Sequence, residues 1–323
     1  MVRSTGDPGQ PSLSARTASC LSAAEITDPQ LQADFEVCRR LNAEHGKTYY
    51  LATWLLPPGK RPWVWALYGF ARYADEFVDS LTDPDPDALM AWGARVEGCI
   101  GTGAGFDAPS RALIATMRRW DIDAATVRVF LNSMRMDIDV AHYPTYPDLE
   151  RYMDGSAAAV GVQLLPILEP SDQQALSYAR DLGVAFQLTN FIRDIGEDLE
   201  RGRVYLPMED LDRFDVTTQE LQRCRYRQAV TAPVRNLLQF QIFRARQVYA
   251  RAEPGIDMLH PDVRPAIRCA RTLYGEILDE VERADYRILH RKVAVSKRRR
   301  ARVAATAVTR ARAQWRRTRA VAA

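Results

Sequence analysis

Apolar residues recur at the three- and four-residue spacing of an amphipathic helix almost everywhere after Asp28, and no stretch alternates apolar and polar positions long enough for a useful strand. The pattern predicts helices over about 28–45, 63–81, 85–101, 109–119, 123–139, 146–168, 171–198, 217–223, 230–251 and 262–290, with helical character continuing into the C-terminal segment. Breaks fall at Pro57-Pro58-Gly59, from Thr82 to Pro86, from Gly101 to Ser110, at Tyr143-Pro144, at Arg201-Gly202 and at Pro254-Gly255. None is long or polar enough for a domain linker, and no solenoid period repeats. The expected architecture is all-α, one large helical domain over 25–295. Residues 1–24, rich in Ser, Thr, Gly and Pro, predict a disordered leader, and 296–323 form a basic tail.

Composition changes little in this picture, but charge does. At 47% hydrophobic and 26% charged the chain is ordinary globular material. The net charge of +3 hides a division: residues 291–323 hold 12 of the 44 Lys and Arg and no Asp or Glu, so all 41 acidic residues face only 32 basic ones in the rest. An acidic body argues against nucleic acid as a partner, while the tail would attract phosphates of any kind. Five scattered cysteines without C-x-x-C spacing read as reduced thiols of a cytoplasmic protein. Four distant histidines give a His-based metal centre little to work with. No apolar run approaches the roughly 20 residues of a bilayer span, so the protein is expected to be soluble or peripheral at a membrane.

Two acidic rows carry the chemistry. On a helical wheel for 63–81, Leu67, Phe70, Ala71, Ala74, Phe77, Val78 and Leu81 form a core face. Tyr68, Arg72, Asp75, Glu76 and Asp79 gather opposite, together with Trp65. A solvated face rarely spends Trp65 and Tyr68 in its acidic strip. Asp75 and Asp79, one turn apart, repel unless a cation lies between them. In the second row Gln187, Asn190, Asp194 and Asp198 form a strip bordering the apolar face of Leu188, Phe191, Ile192, Ile195 and Leu199, a placement that suits the wall of a cleft. Asn190, Asp194 and Asp198, at i, i+4 and i+8, are the hard oxygen donors that Mg²⁺ prefers.

Mg²⁺ between two such rows commonly serves a phosphate-bearing substrate, with basic groups flanking it. Arg72, Arg193, Arg201 and Arg203 are at hand. If the phosphate leaves, metals and arginines stabilise the charge that develops. No Ser-His-Asp arrangement, phosphate loop or GxGxxG following a strand competes. The residues themselves lead as far as Mg²⁺-dependent diphosphate chemistry in a helical cleft.

The segments His45-Gly-Lys-Thr-Tyr-Tyr-Leu-Ala-Thr through Pro58, Trp65 to Asp79, Tyr152 to Pro166, Gln187 to Pro207 and Tyr274 through Arg291 resemble, in order, those of the phytoene and squalene synthase family of head-to-head prenyl synthases. The stretch Asn190 to Pro207 is the most specific. The resemblance implies the isoprenoid synthase fold, with a central cavity and both acidic motifs near its mouth. It implies that Asp75, Glu76 and Asp79 hold Mg²⁺ and one diphosphate, and that Asn190, Asp194 and Asp198 hold Mg²⁺ and the other, two or three ions in all. His45, Lys47, Thr48, Tyr68, Arg72, Gln187, Arg193, Tyr205, Tyr274 and Arg291 match positions around the diphosphates or reacting carbons. Two departures stand out: Glu76 where many relatives have Asp, and Gly46 where some have Ser, which removes a hydroxyl donor and leaves Lys47 and Thr48 to compensate.

The implied reaction ionises one allylic diphosphate, adds a second to give a cyclopropylcarbinyl diphosphate, then ionises and rearranges that intermediate, and proton loss yields a conjugated triene. Tyr49, Tyr50 and Phe186 are candidates to offer π faces to the cations. The first and third segments are nearest to the bacterial members that join two C20 geranylgeranyl diphosphates without NADPH. The alternatives are members joining two C15 farnesyl diphosphates, where squalene formation consumes NADPH, and a non-catalytic helical scaffold or lipid-binding relative. The implied partners are prenyl diphosphates and other carotenoid-pathway enzymes, and Trp315 among Arg312, Arg316, Arg317 and Arg319 suits contact with the inner face of a membrane.

Overall fold

A computed structural model describes residues 13–79 and 85–322. Its α-helices are, in chain order, α1 (Ala15–Ala23), α2 (Pro29–His45), α3 (Lys47–Thr53), α4 (Arg61–Asp79), α5 (Pro86–Thr102), α6 (Ala108–Trp120), α7 (Ala124–Asp139), α8 (Tyr146–Met153), α9 (Ala159–Leu164), α10 (Ala175–Glu200), α11 (Met208–Arg213), α12 (Thr218–Arg227), α13 (Ala232–Ile256), α14 (Arg264–Arg283) and α15 (Lys297–Ala322). Among the described residues no strand forms; one isolated bridge pairs His142 with Val204. All five cysteines are buried and unpaired. Among the described residues no helix is long and apolar enough to cross a membrane.

Caps explain why the helices begin where they do. Asp28 accepts from Leu31 N at 2.7 Å with Pro29 in the first turn, and Asp107 and Thr145 each close a capping box. Two apolar clusters form the body. One gathers α2, α4, α5, α6 and α7 around Trp65, Phe70, Leu113 and Phe130; the other gathers α8, α10, α13 and α14 around Leu188, Ile192, Leu238 and Leu273. Val64 and Leu164 pack against both. A cavity of about 850 Å³ lies between the clusters, lined from α2, α3, α4, α9, α10, α13 and α14.

The differences from the pattern have local causes. The expected disordered leader is helical from Ala15: Ser14 caps α1, Thr17, Cys20 and Leu21 are buried, and Arg16 stacks on Trp54. The stretch 146–168 is not one helix, because a π-helical turn at Asp154–Ala158 separates α8 from α9. There Gly155 meets the carbonyl of Val129 and the hydroxyl of Ser133 too closely for any side chain. The helix expected over 262–290 ends at Arg283, since Asp285 and Tyr286 adopt positive φ. The basic tail is a long helix docked on α14. Ala307 and Ala311 are buried, Arg299 pairs with Glu276, and Trp315 Nε1 donates to the Asp262 carbonyl at 3.2 Å.

Candidate functional site

α4 carries the first row along one wall of the cavity, where Tyr68, Arg72, Asp75 and Glu76 are brought together. Asp79 ends the helix, and its side chain lies outside the described residues. Trp65, grouped with this row on the wheel, is instead completely buried against Trp54. Glu76 stands 3.7 Å from Arg72 Nε and 3.6 Å from His45 Nε2, so α2 closes one side of the row. Gly46 has a steric role: a Cβ there would lie 2.5 Å from the Tyr68 ring. Lys47 is exposed and Thr48 half-buried, and neither is among the lining residues, so the expected compensation for the missing hydroxyl is not realised by position.

α10 carries the second row on the facing wall: Gln187, Asn190, Asp194 and Asp198, with Arg193, Glu197 and Arg201 beside them. Arg193 grips Asp194 with two hydrogen bonds, Nε to Oδ1 at 2.7 Å and Nη2 to Oδ2 at 2.5 Å. Burial works against the Arg193 charge, but these bonds outweigh it and raise the guanidinium above its ordinary value. Lys292 Nζ lies 3.3 Å from Asp194 Oδ1 and 2.6 Å from Glu197. Sequence reasoning named Arg291 here; Arg291 is exposed and absent from the lining, and its neighbour Lys292 holds the place. Gly196 makes this possible, because a Cβ on it would fall 2.1 Å from the Leu289 carbonyl oxygen. The segment after α14 therefore lies directly on α10 and delivers Lys292 to the row.

Tyr205 reaches the cavity as expected and donates to Asp137 Oδ1 at 2.9 Å, while Tyr152 donates to Oδ2 at 2.7 Å. Burial, then the Asp137 charge, push both phenols far above their ordinary values. Asp137 is not among the site residues the sequence points to, and Tyr152 enters there only as the start of a matching segment. Asp137 had a readable signal: it extends the buried stripe Val127, Phe130, Met134 of α7, where an unpartnered carboxylate would be costly. Arg203 does not line the cavity and instead donates to the Asp137 carbonyl at 2.7 Å.

Below the rows the wall turns aromatic and then apolar. Tyr49 stacks on Tyr274 at 4.4 Å, Phe186 lies 4.7 Å from Tyr274, and Tyr68 lies 6.1 Å from Tyr49. Burial raises the Tyr49, Tyr68 and Tyr274 hydroxyls above a value at which a phenol is already neutral at physiological pH. Tyr50 hydrogen-bonds to Arg39 outside the cavity lining. Deeper, Ala157, Gly161, Ala179, Gly183 and Ala252 leave room among Leu164, Leu182 and Ile256.

Among the described residues no three carboxylate, thiol or imidazole groups converge into a preformed metal centre. Instead Asp194 is engaged by Arg193 and Lys292, and Asp198 lies 3.7 Å from Arg201. The donor set nonetheless suits Mg²⁺. Oδ1 of Asn190 is buried without a hydrogen-bond partner, an oxygen left open in the row that carries Asp194 and Asp198. The arrangement can bind a polyanion between cations and hard oxygen donors while enclosing an apolar chain beneath.

The model of the squalene/phytoene synthase family matches residues 42–299. A phytoene synthase of Arthrospira platensis is 35% identical over 283 residues, 83% of this chain and 90% of that relative. A 15-cis-phytoene synthase of Synechocystis sp. is 36% identical over 275 residues, 81% and 80% of the two chains. Among solved structures, a dehydrosqualene synthase in complex with ligand aligns with a TM-score of 0.80 at 30% identity, covering 87% of this chain and 97% of that one. A squalene synthase from Alicyclobacillus acidocaldarius aligns at 0.72 and 25% identity, covering 82% and 98%.

Proposed function

The chain belongs to the squalene/phytoene synthase family of prenyl-transferring enzymes with the isoprenoid synthase fold, and from that membership we propose that it is a phytoene synthase. It joins two geranylgeranyl diphosphates head to head through a cyclopropylcarbinyl diphosphate, releasing two diphosphates and two protons. The likeness to phytoene synthases at 35–36% identity carries the C20 reading, and the cavity accords with it. Its lining follows α10 from Asn190 down to Ala175, fifteen residues or about 22 Å.

Asp75, Glu76 and Asp79 on α4 and Asn190, Asp194 and Asp198 on α10 would hold two or three Mg²⁺ with the substrates, which supply charge neutralisation to a departing diphosphate. Arg72, Arg193 and Lys292 supply cationic donors to phosphoryl oxygens from both walls, and His45 adds an imidazole beside Glu76. Engagement of a diphosphate by Arg193 and Lys292 frees Asp194 from the ion pairs it makes here. Tyr49, Tyr274, Phe186 and Tyr68 face the cations formed when a diphosphate leaves; their neutral rings stabilise positive charge and exclude water that would trap it as an alcohol.

The basic helix α15 supports a peripheral seat on an anionic membrane, at its inner face, where prenyl substrates partition. Arg298, Arg302, Arg312 and Arg316 are exposed and share the side of the helix opposite the buried Ala307 and Ala311. Other carotenoid-pathway enzymes are partners of the same reading. The test is direct. Protein, Mg²⁺ and geranylgeranyl diphosphate without NADPH should release diphosphate and yield a C40 triene. No diphosphate release from any prenyl diphosphate would leave only a non-catalytic scaffold.

A further inference from the structure

Asn42 stands in α2 one turn before His45, completely buried, and neither Oδ1 nor Nδ2 of its side chain has a hydrogen-bond partner. Its backbone is satisfied, since its carbonyl accepts from Gly46 N at 2.9 Å. The two orphaned groups are those of the amide alone. Such groups are rare in folded proteins because their desolvation goes uncompensated, and a leucine of similar bulk would fill the place without that cost. Asn42 is one of the residues that line the cavity, its amide lying just beneath the accessible wall.

Its level in the cavity is fixed by how α2 and α4 run side by side in the same direction. Phe35 meets Trp63, Cys38 lies against Gly69, and His45 reaches Glu76. Asn42 therefore sits about 4.5 Å along the axis below His45. Tyr68, Arg72 and Glu76 line the same wall, where the polar rim gives way to the apolar interior. A neutral amide at that level serves a charged rim in both senses: its N–H₂ can donate to phosphoryl oxygens, and its oxygen can accept from the N–H groups that the same anion draws in.

Resting on the reading that this site takes an allylic diphosphate, we propose that Asn42 is a substrate-binding residue whose Nδ2 donates to an oxygen of the diphosphate held beside α4. A buried donor to a charged acceptor makes a strong contact, and it is one the protein can complete only when the anion is present. The orphaned amide of the free protein is then the unfilled half of that contact.

The experiment titrates inorganic pyrophosphate with Mg²⁺, and separately a thiolodiphosphate analogue of the C20 substrate, into the full chain by calorimetry. Wild type is compared with Asn42→Leu and Asn42→Asp, and each is also melted without ligand. Asn42→Leu should keep or raise the melting temperature while weakening pyrophosphate binding about tenfold or more. Asn42→Asp, which keeps the shape but sets a negative charge against the anion, should bind more weakly still, and it carries the test if the leucine variant does not fold. Unchanged pyrophosphate affinity in the folded variants, whatever their melting temperature, overturns the assignment, as does a wild type that binds neither probe. Binding is read without turnover, so Asn42-dependent binding by a protein that converts no geranylgeranyl diphosphate would remove the proposed function and leave this inference standing.

Discussion

Asp194 is the side chain on which the second row turns, held by Arg193 on one side and approached by Lys292 on the other. Asp194→Asn preserves shape and helix and removes the charge. Turnover should fall at least about a hundredfold with the helical circular-dichroism signal unchanged; undiminished turnover removes Asp194 from the mechanism. Glu36, which is not among the cavity-lining residues, gives a pH test of the scaffold. Burial raises its carboxyl, but hydrogen bonds from Arg39 and Arg40 outweigh that and hold it below the ordinary value of 4.5. Its folded value is thus depressed, and its contribution to stability is present above the unfolded value and lost as pH falls through the folded one. In urea unfolding, the deficit of Glu36→Gln relative to wild type should be full at pH 7 and shrink progressively as pH falls below 4.5. A deficit that grows with acid contradicts this assignment. Residue identity on the rows was legible because an acidic strip bordering an apolar face has few structural uses, as Asn190, Asp194 and Asp198 show. Lys292 was not, because its position depends on the close approach of Leu289 to Gly196, which no spacing along the chain announces.

At the scale of elements, periodicity located α2, α4, α5, α6, α7 and α10 to within a few residues, and all but α10 open on a side-chain cap or a proline break. It failed where packing overrode composition. α1 reads as a Ser/Thr-rich leader, yet Cys20 and Leu21 are buried and α1 packs on the turn just before α4, where a Cβ on Gly59 would meet the Ala23 carbonyl. α15 reads as a free basic tail because its buried seam is made of alanines, which carry little hydrophobic signal in sequence. Docking of that seam turns an arginine strip outward. Charge reversal at Arg302, Arg312 and Arg316 should leave the fold intact and strongly reduce cosedimentation with vesicles containing anionic lipid at low salt, at about 1 kcal/mol per charge lost. Equal binding by the variant would leave α15 without a membrane role.

For the molecule as a whole, the decisive feature is that two apolar clusters, joined through Val64 and Leu164, leave a deep cavity between them. The all-α class was legible from the pattern of apolar positions. The cavity floor was not, because Ala175, Ala179, Ala252 and Gly255 read as ordinary helix-packing residues until α10 and α13 are set side by side. That floor is where the length of the bound chain would be limited. The most direct test supplies geranylgeranyl and farnesyl diphosphates at equal concentration with Mg²⁺ and no NADPH, and compares C40 with C30 hydrocarbon. The account predicts phytoene as the dominant product. A predominant C30 hydrocarbon would contradict it.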